Sequence, residues 1–211
     1  MSLSCAGAGS RKLLLATANR GKLAEFTALL APFALELRSL GDAAEIELPL
    51  EGEDYERNAT AKALVAAQAN GFAALGDDSG IELAALGGAP GPLSARYGGA
   101  GLDDAGRRRS LLAALAQSGS ADRSARFVCV AAFATPAGEV TLVRGECRGT
   151  ILTAARGSAG FGYDPVFRPE GYDLSMAELP LELKNRISHR GRAIQALAPV
   201  LARAFGAARP A

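Results

Sequence analysis

"ARFVCVAAFAT", residues 125–135, is almost wholly apolar and rich in residues that favour strands. Such a run predicts a central strand that is buried on both faces of a sheet. Residues 136–138, "PAG", then predict a turn into a second strand, "EVTLVRGECRGTIL", residues 139–152. The centre of the fold is therefore expected to be a β-sheet built around this hairpin.

Shorter patterns on both sides of the hairpin predict the other elements. Strands are predicted at residues 12–16 and 34–39, and "FAALGDDSGIEL", residues 72–83, has the pattern of a strand, a turn and a strand. Apolar residues at helical spacing predict helices at residues 21–33, 55–70, 103–119 and 188–205. Asp54 and Ser188 are the expected N-caps, and Asn70-Gly71 is the expected end of the second helix. The chain is therefore expected to have an α/β fold around one sheet.

Composition narrows the classes of function. The 211 residues suit a single domain or one domain in two lobes, and the net charge of +1 argues against a protein that binds nucleic acid. Cys5, Cys129 and Cys147 form no CxxC pair, which favours a reducing compartment without a structural zinc site. No apolar run approaches the roughly 20 residues that span a bilayer. We expect a cytoplasmic protein with small-molecule ligands and a disordered tail at residues 1–10.

A candidate phosphate site is the loop "TANRGK", residues 17–22, between the first predicted strand and helix. The N–H groups and dipole at a helix N-terminus favour a bound phosphate, and Lys22 adds a positive charge. The loop lacks the spacing of a Walker A motif, so an ordinary strand-to-helix turn is an equally good interpretation. The chain has 19 arginines and only four lysines, and Lys22, Lys62 and Lys184 all stand in polar, motif-like contexts.

"GDDSG", residues 76–80, offers two adjacent carboxylates. Successive side chains of a strand point to opposite faces, so one of Asp77 and Asp78 is expected to be catalytic and the other structural. A hard cation such as Mg²⁺, held by one or two carboxylates and by substrate phosphates, suits this pattern better than zinc. A capped turn without a ligand is the competing interpretation. "PGPLSARYGG", residues 90–99, is either a rigid loop that orients Arg96 and Tyr97 or a structural turn.

The single histidine, His189, lies in "SHRG" in the first turn of the last predicted helix. Side-chain and backbone donors converge there, so a ligand rich in acceptors is expected. "GFGYDPVF", residues 160–167, combines glycines, aromatic residues and a carboxylate in a segment too stiff and too polar for a buried strand. The three arginines at 107–109 are expected to lie on a solvated helix face.

Five motifs in this order, "LATANRGK", "GDDSG", "PGPLSARYGG", "GFGYDPVF" and "LKNRISHRGRAI", resemble the inosine triphosphate pyrophosphatase family. The resemblance extends over residues 12–197. It implies an elongated, two-lobed α/β fold over residues 11–205, with a long mixed β-sheet flanked by helices and a central substrate cleft, followed by a tail at residues 206–211. It also implies a homodimer and Mg²⁺-dependent hydrolysis of dITP, ITP, XTP and dXTP to the monophosphate and pyrophosphate.

The same resemblance implies roles for particular residues. Asp78 is expected to be the general base and a metal ligand. The expected substrate-binding residues are Thr17, Ala18, Asn19, Arg20, Gly21, Lys22, Lys62, Ser79, Arg96, Phe161, Gly162, Tyr163, Asp164, Lys184, Ser188, His189 and Arg190. The acid that the family places before the second helix is replaced by Leu50, so Glu51 is the candidate for the second metal ligand.

The chemistry of the expected base pocket suits a 6-keto purine. Donors from His189 and Arg190 would face O6, the Asp164 carboxylate would face N1–H, and Phe161 would stack on the ring. Adenine presents the opposite polarity at both positions and would leave buried groups unpaired. Two other interpretations stay open: a related pyrophosphatase for a modified pyrimidine triphosphate, and a regulatory nucleotide-binding module without turnover.

Overall fold

The structure, a computed structural model, describes residues 11–43 and 46–206. The predicted tails therefore lie outside the described residues, apart from Gly206. The strands are β1 (Lys12–Leu15), β2 (Glu36–Ser39), β3 (Ala74–Leu83), β4 (Pro90–Gly91), β5 (Ser124–Ala134), β6 (Val140–Ile151) and β7 (Phe167–Pro169). The α-helices are α1 (Arg20–Leu30), α2 (Tyr55–Asn70), α3 (Asp104–Gln117), α4 (Leu181–Ile187) and α5 (His189–Phe205).

One mixed sheet organises these elements. Its strands follow the order β2-β1-β3-β5-β6-β7, with β4 paired to β3. The strands β2, β1 and β3 run parallel, and the remaining pairs are antiparallel. The predicted hairpin is the centre of the sheet, because β5 and β6 pair continuously from Ser124↔Thr150 to Ala134↔Val140. The predicted α/β fold with a long mixed sheet flanked by helices is confirmed.

The prediction of a turn inside "GDDSG" is wrong. β3 runs without interruption from Ala74 to Leu83, and its glycines serve packing instead of turning. A Cβ on Gly76 would lie 2.6 Å from the carbonyl oxygen of Ala59 in α2, and a Cβ on Gly80 would overlap the carbonyl group of Gly91. Glycine in a strand often marks such a close approach of another backbone.

Helices cover both faces of the sheet. The alanine-rich helix α2 packs on one face through Ala59, Ala63 and Ala66. Its N-cap is Asp54 and its C-cap is Gly71, as predicted. On the other face, α5 lies against β6 so closely that a Cβ on Gly145 would collide with the backbone of its first turn. This contact fixes the start of α5, where "SHRG" lies. Among the described residues, no helix is both long enough and apolar enough to cross a membrane.

Two apolar clusters lie on the face that carries α1 and α5. Leu75 of β3 belongs to the cluster that α1 and α5 complete, and Ile81 belongs to the cluster that α3 completes. Asp77 and Ser79 point from β3 to the same face between them. We call this interval the polar gap. It is the place where the fold leaves room for polar side chains beside a buried sheet.

Because Gly76 packs closely against α2, any side chain at position 76 is expected to destabilise the fold. Gly76→Ala is expected to lower the free energy of unfolding by about 1–3 kcal/mol, because its Cβ would lie 2.6 Å and 2.7 Å from backbone atoms of α2. Urea unfolding measures this. Gly41→Ala is the control: its Cβ would meet nothing closer than 3.7 Å, and a change within about 0.5 kcal/mol is expected. Equal effects of the two substitutions would contradict the packing argument.

Candidate active site

A cavity of about 110 Å³ opens at the polar gap. Its lining includes Lys22, Ser79, Phe127, Phe161, His189 and Arg190. A larger depression of about 800 Å³ lies elsewhere, over Glu82, Arg126 and Arg148, and contains none of the predicted site residues. Arg126 there is already paired with Glu82 at 2.7 Å. The cavity at the polar gap is therefore the candidate site.

The predicted phosphate loop forms one wall. Asn19 caps α1 by accepting a hydrogen bond from the Lys22 N–H at 3.0 Å, and Thr17 Oγ1 accepts one from the Asn19 N–H at 3.2 Å. Ala18 and Arg20 are exposed, and neither lines the cavity. Gly21 has a spatial reason to be glycine, because a Cβ there would lie 2.5 Å from the Phe161 ring. The loop and the "GFGYDPVF" segment therefore meet directly at the cavity.

The two acids of "GDDSG" point to opposite faces of β3, as predicted. Asp77 faces the polar gap, where Lys22 Nζ lies 2.8 Å from its Oδ2 and Ser79 Oγ donates to the same oxygen at 2.8 Å. Burial alone would raise the pKa of the Asp77 carboxyl, but the positive charges of Lys22, Lys62 and Arg190 hold it well below its usual value. Asp77 is therefore a permanently ionised, buried group.

Asp78 faces α2. Its Oδ2 accepts a hydrogen bond from Asn58 Nδ2 at 2.7 Å, and its Oδ1 accepts one from the Ser79 N–H at 2.9 Å. Burial raises the pKa of Asp78 to about 6, and the nearby Glu51 carboxylate adds to this effect against the hydrogen bond of Asn58 and the charge of Lys62. A carboxyl with a pKa close to neutrality is suited to accept a proton. Asp78 thus has the properties expected of the predicted general base.

Asn58 also fixes the segment that carries Glu51. Its side chain accepts from the Gly52 N–H at 2.7 Å and donates to the Gly52 carbonyl at 3.1 Å. Arg96 supports the same segment by donating to the carbonyl of Glu51 at 2.7 Å. Arg96 therefore stabilises the segment that carries Glu51. The Glu51 carboxylate pairs with Lys62, whose pKa stays raised despite its burial because of Asp77 and Glu51.

The acids on this side suit a hard cation. The Glu51 carboxylate adds to the raised pKa of Asp78, and a divalent cation would offset the repulsion between the two acids. Two carboxylates, completed by oxygens of a phosphate chain, match the ligands that Mg²⁺ prefers. Within the described residues no group of three His, Cys, Asp or Glu side chains is placed to hold a metal ion by itself. A metal here would therefore depend on oxygens from the substrate.

On the side of the polar gap, the cavity borders a buried ion network around Phe161. Glu25 accepts from Lys184 Nζ at 2.6 Å and from Arg190 Nη1 at 2.9 Å. Lys184 also contacts Asp164, whose Oδ2 accepts the Phe161 N–H at 2.9 Å. Both cations lie over the Phe161 ring, at 5.4 Å for Lys184 and 5.0 Å for Arg190. The network therefore fixes the ring and the two cations together.

His189 lies at the floor of the cavity. Its ring stacks on Phe127, with centroids 4.7 Å apart and planes inclined by 10°. Burial, reinforced by the charges of Arg190 and Lys184, lowers the pKa of His189 well below its usual value, so the imidazole is neutral. Its Nδ1 is buried and finds no hydrogen-bond partner among the described residues. Ser188 acts as the cap of α5, because its Oγ accepts from the Gly191 N–H at 3.1 Å.

The segment around Phe161 is anchored to α3. Gly162 adopts a φ of 59°; its N–H donates to Asp104 at 2.8 Å, and its carbonyl accepts from Arg108 at 2.7 Å. The Tyr163 hydroxyl donates to the Ser94 carbonyl at 2.8 Å. The interpretation of residues 107–109 as a solvated face is therefore wrong for Arg108, and also for Arg107, which lines the cavity. Arg109 is exposed.

Known proteins match most of the chain. The sequence profile of the Ham1 family matches residues 13–200. The chain belongs to the Ham1 family. A protein of Desulfotalea psychrophila named dITP/XTP pyrophosphatase is 49% identical over 183 residues, which cover 86% of this chain and 81% of that protein.

Solved structures support the membership. This Ham1-family chain matches a HAM1 protein from Coxiella burnetii with a TM-score of 0.79 and 39% identity, covering 91% of this chain and 98% of the other. A nucleoside-triphosphatase, or dITP/XTP pyrophosphatase, from Mycobacterium abscessus matches with a TM-score of 0.70 and 43% identity over 90% and 99% of the two chains. The resemblance to a family of nucleoside triphosphate pyrophosphatases, which are hydrolases, is confirmed.

Two residues that complete the site were not predicted. Glu25 lies in the first helix of the Ham1-family chain, and its position among apolar neighbours is the only feature of the sequence that points to a buried acid. Asn58 lies near the start of an alanine-rich helix, and its position among alanines is likewise the only feature that points to a buried polar residue. A polar residue on the buried face of a helix indicates a partner but does not identify it.

The neutral state of His189 can be measured directly, because the chain contains one histidine. Long-range ¹H–¹⁵N NMR spectra are expected to show a neutral imidazole from about pH 5.5 to 8, since burial and the two neighbouring cations oppose protonation. Spectra in urea provide the control and are expected to titrate near the ordinary value of about 6.5. A similar midpoint in the folded protein would contradict the account of the pocket.

Proposed function

We propose that this protein hydrolyses dITP, ITP, XTP and dXTP to the nucleoside monophosphate and pyrophosphate, and so removes non-canonical purine nucleotides from the nucleotide pool. The observation that carries the proposal is the cavity at the polar gap, which joins a phosphate loop to a buried pocket rich in hydrogen-bond donors. The names of the relatives, dITP/XTP pyrophosphatase, support it independently.

The base pocket would select a 6-keto purine. His189 has a ring nitrogen without a hydrogen-bond partner among the described residues, and both His189 and Arg190 are nearly fully buried. Donors from these two residues would pair with O6, and Asp164 would accept from N1–H. Adenine would place its amino donor against these donors, and leaving buried groups unpaired can reduce selectivity constants by about 10⁴.

At the phosphate-binding end of the site, side chains would supply positive charge and a general base. Lys22 and Lys62 would neutralise phosphate oxygens, supported by the N-terminus of α1. Asp78 would orient and deprotonate the attacking water, for which its pKa of about 6 is suitable. Mg²⁺ held by Asp78, Glu51 and the triphosphate would add electrostatic stabilisation of the phosphate charge. Lys62 is paired with Glu51, so binding of the metal and the phosphates would redistribute this pair.

Further parts of the proposal concern the whole molecule. Residues 11–205 would act as one two-lobed pyrophosphatase domain, and the protein would be a homodimer without nucleic-acid or membrane partners. The near-neutral net charge of +1 supports the absence of nucleic acid. Cys129 and Cys147 are buried free thiols, which suits the reducing cytoplasm.

Pyrophosphate release tests this function. With Mg²⁺, dITP and XTP are expected to give pyrophosphate with a kcat/KM on the order of 10⁴ times that for dATP, because only the 6-keto bases match the buried donors. A deoxyuridine triphosphate is the matched pyrimidine control and is expected to react slowly. Preferred turnover of the pyrimidine would indicate the related pyrophosphatase. Tight dITP binding without turnover would indicate a regulatory module, and orthophosphate as the product would contradict the cleavage position.

A further inference from the structure

The two ends of the cavity are joined by a chain of buried charges of alternating sign. At the phosphate end, Lys22 pairs with Asp77 at 2.8 Å. At the base end, Arg190 pairs with Glu25 at 2.9 Å, and Glu25 pairs with Lys184 at 2.6 Å. Each of these side chains except Lys22 is nearly fully buried. Only the step between Asp77 and Arg190 lacks a direct hydrogen bond.

Between Asp77 and Arg190, each residue has one buried atom without a hydrogen-bond partner among the described residues. Asp77 Oδ1 is a buried acceptor and Arg190 Nε is a buried donor, and neither finds a partner among the described residues. Their charges interact, since Arg190 helps to lower the pKa of Asp77 and Asp77 helps to raise that of Arg190. Buried polar groups are nearly always satisfied, so a small shift of the guanidinium or one bridging water would complete the chain.

We propose that Asp77 is a positioning residue that couples nucleobase recognition to the phosphate loop. It holds Lys22 with one carboxylate oxygen and presents the other to Arg190, so the placement of a phosphate-binding lysine and of a base-reading arginine depends on the same carboxylate. The proposal rests on the proposed function, in which Arg190 reads the base and Lys22 binds phosphate. It assigns Asp77 an effect on selectivity although its side chain does not line the cavity.

A role limited to Lys22 makes a different prediction. ITP and ATP share the same triphosphate, so an acid that only positions Lys22 would affect both substrates equally. An acid that also positions Arg190 affects ITP more, because only ITP offers O6 to the arginine. The ratio of kcat/KM for ITP to that for ATP therefore separates the two roles, whereas a general loss of stability would not change this ratio.

Asp77→Asn is expected to lower this ratio by about tenfold or more, because the electrostatic attraction between the carboxylate and Arg190 is lost. Lys22→Met is the second variant, and it is expected to lower the ratio in the same direction, since the side chain is 13% exposed and its loss leaves Asp77 free to shift. Glu82→Gln is the matched control on the opposite face of the same strand, with an expected ratio within about twofold of wild type. Thermal unfolding verifies that each variant is folded.

Unchanged ratios in Asp77→Asn and Lys22→Met, with equal losses for ITP and ATP, would overturn the proposal. Should Asp77→Asn not fold, the ratio in Lys22→Met decides. Pyrophosphate release from ITP by the wild-type protein tests the proposed function separately. If turnover is absent, the ratio of equilibrium dissociation constants for ITP and ATP, measured by calorimetry in the same variants, tests the coupling without chemistry.

Discussion

An ionised carboxylate buried in a protein costs several kcal/mol unless nearby charges compensate for it, and the side chain of Asp77 is 1% exposed. This one requirement determines much of the surrounding structure. Lys22 has to come from the start of α1, and Arg190 from the start of α5, so both helices must begin beside the same point of β3. The polar gap between the two apolar clusters is the space that these side chains need.

The same arrangement explains how a small site can be selective. The acids Glu25 and Asp164 balance the cations Lys184 and Arg190, so the donors are already oriented and little rearrangement is needed for binding. Phe161 is held in place by the two cations near its ring and by the close backbone of Gly21. A preorganised pocket of this kind discriminates by leaving the wrong base unpaired, and not by excluding it through size.

Local patterns predicted the hairpin of β5 and β6 and the caps at Asp54 and Ser188, because short-range chemistry determines both. They failed at "GDDSG", where the glycines allow close approach of α2 and of Gly91, contacts that no local pattern reveals. Glu25 was missed for a similar reason, since its partner Arg190 lies 165 residues away in the chain. The order of the motifs indicated the family, whereas the ion network required the three-dimensional structure.

In the proposed function, the base would lie over Phe161 and the triphosphate at Lys22, with Asp78 close to the α-phosphorus. A crystal structure of Asp78→Asn with ITP and Mg²⁺ tests this arrangement, because the substitution retains the shape of the site and removes the general base. We expect intact ITP, with O6 facing His189 and Arg190, the phosphates at Lys22, and Mg²⁺ near Glu51 and the substituted side chain. A base bound outside the polar gap, or a fully hydrolysed nucleotide, would contradict the claim.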